Sequence, residues 1–73
     1  MNNSTKNPRR TNDSPIARIR MERGLTQVQL AALVGTQPNN ISRWELGTSR
    51  PNSDNLMRVA AALECSMDEL IQK

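Results

Sequence analysis

Residues 26–47, TQVQLAALVGTQPNNISRWELG, hold two runs of helical length around one glycine turn, and that spacing leaves few folds open. Thr26 with Gln29 three residues later is a capping-box pattern, in which side chain and backbone satisfy each other's first-turn donors. The run it opens carries Leu30, Ala31, Leu33 and Val34 and stops at Gly35, where a left-handed backbone is cheap only for glycine. Pro38 would break a helix interior, but at the first helical position its missing N–H costs nothing. The second run therefore reads from Pro38 to about Leu46, closed by Gly47. Ile41 and Trp44, three apart, give it an inward edge, and Ala31 is small where the two helices must approach. Two helices joined by three or four residues with a glycine in the turn form a helix-turn-helix.

The flanks supply the rest of a core. Ser14 caps a first helix with Pro15 in its first position, Ile16 and Ile19 on one face, and Gly24 as its stop. After Pro51, Asn52 caps a fourth helix expected to bury Leu56, Val59, Ala60 and Leu63. A second capping box, Ser66 with Glu69, opens a short fifth helix expected to bury Met67, Leu70 and Ile71. Cys65 and Met57 read as packing residues, and no alternating strand pattern occurs. The expected fold is all-α: a compact five-helix domain over residues 14–73. Residues 1–13 are polar and contain Pro8, which predicts a disordered tail. Its Lys6, Arg9 and Arg10 either follow a DNA backbone as a basic arm or are incidental charge.

Composition narrows the function. There is no His, and the single cysteine has no base to activate it, so no metal, cofactor or enzymatic role is expected. One thiol cannot form an intrachain disulfide, and no apolar run approaches membrane length, so the cytoplasm is the expected compartment and no membrane partner is expected. The net charge of +3 is uneven, at +5 over residues 1–50 and −2 over 51–73. Most of the basic groups are arginines, which suit planar partners such as phosphate and guanine, although solubilising charge explains the balance equally well.

GLTQVQLAALVGTQPNNISRWELG, residues 24–47, resembles the helix-turn-helix domains of the phage lambda-type repressor and Cro class, also called the XRE class. The resemblance continues through RPNSDNLMRVAAALECSMDELI, 50–71, and so covers all but the tail. It implies a five-helix lambda-repressor-like domain whose third helix lies in the major groove of double-stranded DNA. At about 100° per residue, the side of that helix facing away from Ile41 and Trp44 carries Asn39, Ser42, Arg43 and Leu46, with Gln37 ahead of them. Asn and Gln pair with adenine edges and Arg with guanine, so Gln37, Asn39, Ser42 and Arg43 are the expected base readers. The resemblance makes Gln27 a phosphate contact at the start of the second helix and pairs Glu45 with Arg20, which it also aims at a phosphate. Thr26, Asn40 and Arg50 complete the expected phosphate-binding set, and Ala31, Gly35, Ile41, Trp44 and Glu45 the structural one. Stacking of Trp44 on a base is the weaker reading of that residue.

The chain departs from the class at Pro38, commonly polar there, at Leu46, commonly Asn, and at Gln37, a poorer cap than Ser or Thr. The resemblance implies a bacterial or phage transcriptional regulator, most often a repressor, binding a palindromic operator as a homodimer. Phage or mobile-element repressors and restriction-modification controllers share this size. Ending at the fifth helix, the chain is expected to lack a separate ligand-sensing or oligomerisation domain. The alternative is a protein-interaction or antitoxin-type module with the same fold and a protein partner.

Overall fold

The helix ends are where sequence dictates structure most directly. In the computed structural model, which describes residues 14–71, α1 runs Pro15–Glu22, α2 Gln27–Val34, α3 Pro38–Leu46, α4 Ser53–Leu63 and α5 Met67–Leu70. Four of the five begin under a side-chain cap. Ser14 Oγ accepts from the Ala17 N–H at 3.0 Å, and Asn52 Oδ1 from the Asn55 N–H at 2.8 Å. Thr26 with Gln29, and Ser66 with Glu69, form complete capping boxes. α3 instead starts on Pro38, and Gln37 in its cap position makes no side-chain cap bond. The basic tail expected at residues 1–13 lies outside the described residues, as do residues 72–73.

At their C-termini the first four helices share one device. An N–H from beyond the helix reaches back five residues: Leu25 to the Arg20 carbonyl at 3.1 Å, Thr36 to Ala31 at 2.9 Å, Thr48 to Arg43 at 3.1 Å and Cys65 to Ala60 at 3.0 Å. Each closure needs a left-handed residue before it. Gly24, Gly35 and Gly47 serve in three, but Glu64 occupies that conformation in the fourth, with φ 58°. A residue with a Cβ costs roughly 1–2 kcal/mol there. Arg23 braces this end of α4, its Nε donating to the Leu63 carbonyl at 2.7 Å and its Nη2 to the Glu64 carbonyl at 3.4 Å.

Leu30, Ile41, Val59 and Leu63 are fully buried, so the core centres on α2, α3 and α4, with Ile16 and Ile19 of α1 and Leu70 of α5 closing its sides. Ala31, 1% exposed, belongs to the same core cluster, and Trp44 is buried in it as well. Two apolar residues expected to pack inside do not, Met57 at 56% and Ile71 at 49% exposed, and Leu33 of the α2 run is likewise 60% exposed. Leu30, Ala31 and Val34 already fill the inner face of α2, and Leu33 stands roughly 100° from its centre. Met57 stands in the same relation to Val59, Ala60 and Leu63 on α4. Ile71 follows the last turn of α5, where the backbone has become extended. Leu56 is only half-buried because it lines a cleft of about 300 Å³, bounded also by Ile16, Trp44, Pro51, Leu70 and Ile71. Met67 and Cys65 are half-buried against the core, and burial, reinforced by Glu69 and opposed by Arg23, pushes the Cys65 thiol above its ordinary range.

One polar junction lies within this apolar frame. Glu45 of α3 is 4% exposed and Arg20 of α1 is 8% exposed. Arg20 Nε donates to Glu45 Oε2 at 2.6 Å and Nη2 to Oε1 at 3.1 Å, a two-pronged ion pair. Arg20 Nη1 donates to the Leu25 carbonyl at 2.9 Å, and Gln27 Nε2 of α2 donates to Glu45 Oε1 at 2.8 Å. Three helices are thus bound through one carboxylate. Removing one partner of a buried pair strands the other, so Glu45→Ala is expected to lower stability by about 3–5 kcal/mol in urea titration. The exposed Asp54–Arg58 pair, 3.2 Å apart on α4, gives the contrast: Asp54→Ala should change stability by less than about 1 kcal/mol. Glu64→Gly removes the left-handed strain without touching the carbonyls that Arg23 holds, and should raise stability by about 1 kcal/mol in the same measurement.

Candidate nucleic-acid interface

The junction on its inner side fixes which side of α3 meets solvent. Ile41, Trp44 and Glu45 point inward, while Asn39, Arg43 and Leu46 are exposed, as are Gln37 and Pro38 ahead of them. Ser42 is half-buried between the two sides. The four residues expected to read bases, Gln37, Asn39, Ser42 and Arg43, therefore lie along one helix and its entrance. Among the described residues none of their side chains hydrogen-bonds to the protein, so their donors and acceptors are free for a ligand. Leu46 continues this surface with an apolar group.

The residues expected on phosphate fall into different situations. Thr26 is exposed, but its hydroxyl accepts from the Gln29 N–H at 3.0 Å and so serves the cap of α2. Gln27 is half-buried, and its bond to the acceptor-only Glu45 carboxylate turns the nitrogen end of its amide inward. One amide hydrogen and the amide oxygen remain available at the start of α2. Asn40 is half-buried and donates to Thr36 Oγ1 at 2.7 Å, a bond the sequence reading missed although the two residues are four apart. Arg50 is exposed in the loop after α3. Arg20 is withdrawn from the surface: its side chain is 10% exposed and all three of its nitrogens hold intramolecular partners. Arg20 makes the pair with Glu45 that the resemblance implies, and one hydrogen on each of Nη1 and Nη2 lies outside these bonds.

The arginines consequently divide by use. Arg20 and Arg23 are committed to the fold, and Arg58 pairs with Asp54. Arg18, Arg43 and Arg50 are exposed and meet no carboxylate among the described residues. Ala31, Gly35, Ile41, Trp44 and Glu45 occupy the crossing, the turn and the inner edge of the two helices. Among the described residues no group of His, Cys, Asp or Glu is arranged to hold a metal ion, and no helix is long and apolar enough to cross a membrane.

Comparison with known proteins agrees with this geometry. The helix-turn-helix family model matches residues 16–70. The chain is 40% identical over 58 residues to repressor protein C2 of Salmonella phage P22, which covers 75% of this chain and 27% of that protein. It is 40% identical over 45 residues to the cryptic phage CTXphi transcriptional repressor RstR of Vibrio cholerae serotype O1, covering 62% of this chain and 40% of that one. The matched segments thus span well under half the length of either relative. No solved structure matches the chain significantly. With the family model spanning all five helices, and both relatives being phage repressors, the chain belongs to the helix-turn-helix family of the lambda-repressor type.

Proposed function

We propose that this chain is a transcriptional repressor that binds a palindromic operator in double-stranded DNA as a homodimer, with α3 in the major groove. The observation that carries the reading is the outer side of α3. The side chains of Gln37, Asn39, Ser42 and Arg43 make no hydrogen bond within the protein among the described residues, yet the buried junction behind α3 holds the helix that carries them. The kinship with two phage repressors supports the same conclusion. Arg43 supplies a two-pronged donor suited to guanine, and Asn39 and Gln37 supply amides suited to adenine. Pro38 offers only van der Waals contact. Gln27 and Arg50, with Thr26 at the start of α2, contact the backbone and set the register without reading sequence. A pair of such domains places its recognition helices in half-sites about one helical turn apart. The cytoplasm, where the operator is, is the compartment that fits.

Binding to random duplex DNA across a salt series tests the class of function. Log affinity is expected to fall linearly with log salt through the release of counterions from contacted phosphates. Absence of binding at low salt would return the chain to the protein-interaction reading. Sites selected from a random DNA pool then give the operator, and their symmetry reports the dimer. On that operator Arg43→Ala should cost about 1–3 kcal/mol and relax preference at one base pair per half-site. Arg50→Ala, outside the Glu45 junction, should weaken operator and random DNA by a similar factor, with base preference unchanged, in the same titrations.

A further inference from the structure

Asn40 and Thr36 stand at the margin of α3, between the inward Ile41 and the outward Asn39, and both are half-buried. Asn40 Nδ2 donates to Thr36 Oγ1 at 2.7 Å. A hydroxyl has one hydrogen to give and two lone pairs to receive with. By accepting from Asn40, the Thr36 oxygen is fixed in place and its own hydrogen is turned away from the amide. Among the described residues that hydrogen meets no acceptor. Its backbone N–H is held on the Ala31 carbonyl at 2.9 Å as part of the α2 closure, which fixes the backbone from which the side chain projects. Asn40 for its part retains one amide hydrogen after serving Thr36. Two adjacent neutral donors, tied to each other and without acceptors among the described residues, match an anionic oxygen. At the rim of the recognition surface, beside the first turn of α3, the sugar-phosphate backbone supplies such an oxygen, and it receives half or more of the hydrogen bonds in protein–DNA complexes.

We infer that Thr36 contacts a DNA phosphate through its hydroxyl, and that Asn40, expected from the sequence to be the phosphate ligand, is its positioning residue. The inference rests on the DNA-binding reading above and deepens it. It adds a backbone contact inside the turn of the helix-turn-helix, separate from those of Gln27 at the start of α2 and Arg50 beyond α3.

The test uses the selected operator in a series of duplexes, each with a single phosphate replaced by a neutral methylphosphonate. Thr36→Val keeps the β-branched shape and the backbone N–H but removes the donor. It should bind operator and random duplex about tenfold more weakly, at the low end of what a hydrogen bond to a charged group contributes. The salt slope should not change, because no charge is lost. One methylphosphonate per half-site should weaken the wild type yet leave Thr36→Val unaffected, and Thr36→Ser should regain the wild-type response. A purely structural role for Thr36 would lower affinity without removing the response at one particular phosphate. Should Thr36→Val fold poorly, Asn40→Ala carries the test, since a hydroxyl no longer held should show a reduced response at that same phosphate. Equal sensitivity of variants and wild type at every phosphate, or a changed base preference, overturns the assignment. If the wild type fails to bind any duplex, the DNA-binding reading falls, and the role of Thr36 with it.

Discussion

The Glu45 carboxylate receives hydrogen bonds from Arg20 on α1 and Gln27 on α2 while itself belonging to α3, and the orientation of the recognition helix depends on that junction. Apolar packing alone holds α3 less specifically. The burial of Ile41 and Trp44 is non-directional and so restrains rotation about the helix axis less sharply than a hydrogen bond does. A two-pronged guanidinium pair tolerates them poorly, since its hydrogen bonds are directional and its charges are away from water. Such a pair contributes little net stability over a well-packed apolar replacement, so its value here is register. Rotating α3 would carry Asn39, Ser42 and Arg43 with it, and in the proposed complex these side chains would have to arrive at base edges at fixed angles.

The same junction shows why charge composition is a poor guide to a DNA-binding surface. Eight basic residues in the first fifty read as one footprint, but Arg20 is buried and Arg23 holds the end of α4. An arginine suits these tasks for the reason it suits phosphate: a rigid fork of donors with no acceptor of its own. Carboxylates, exposed carbonyls at a helix end and DNA all present oxygen. Arg18, Arg43 and Arg50 remain free of carboxylates among the described residues, and only Arg43 lies on the outer side of α3.

The helix boundaries were legible in the sequence because each is written in local chemistry. Ser14, Thr26, Asn52 and Ser66 cap the helices they were expected to cap, and Gly35 and Gly47 end α2 and α3. What escaped depends on geometry between elements or on how much room a face has. Leu33 and Met57 look like core residues by hydrophobicity, yet each inner face is already filled by three others. Glu64 gives no sequence sign of a left-handed conformation, and the arginine that supports it lies forty residues away from Leu63 in the chain. The Thr36–Asn40 bond is local and was within reach of the sequence. The four-residue spacing allows it, but an amide at that position can equally turn outward, and residue type does not decide between the two.

Pro38 sets the balance of the proposed recognition surface. In the first position of α3 it fixes the backbone at the helix entrance, which suits a helix whose cap residue Gln37 makes no cap bond of its own. It also removes one hydrogen-bonding side chain from the outer side, and Leu46 removes another at the far end. The amides of Gln37 and Asn39 and the hydroxyl of Ser42 are neutral and each can act as donor or acceptor, so they discriminate among bases less sharply than a guanidinium, which only donates. A good two-pronged base contact is worth about 1–3 kcal/mol of discrimination. With Arg43 the one charged side chain among the four, the proposed complex has a single strongly specified position in each half-site. In that proposed complex the remaining specificity is shared between the neutral amides of Gln37 and Asn39 and the fixed spacing of two half-sites, so the proposed dimer would serve selectivity as well as affinity.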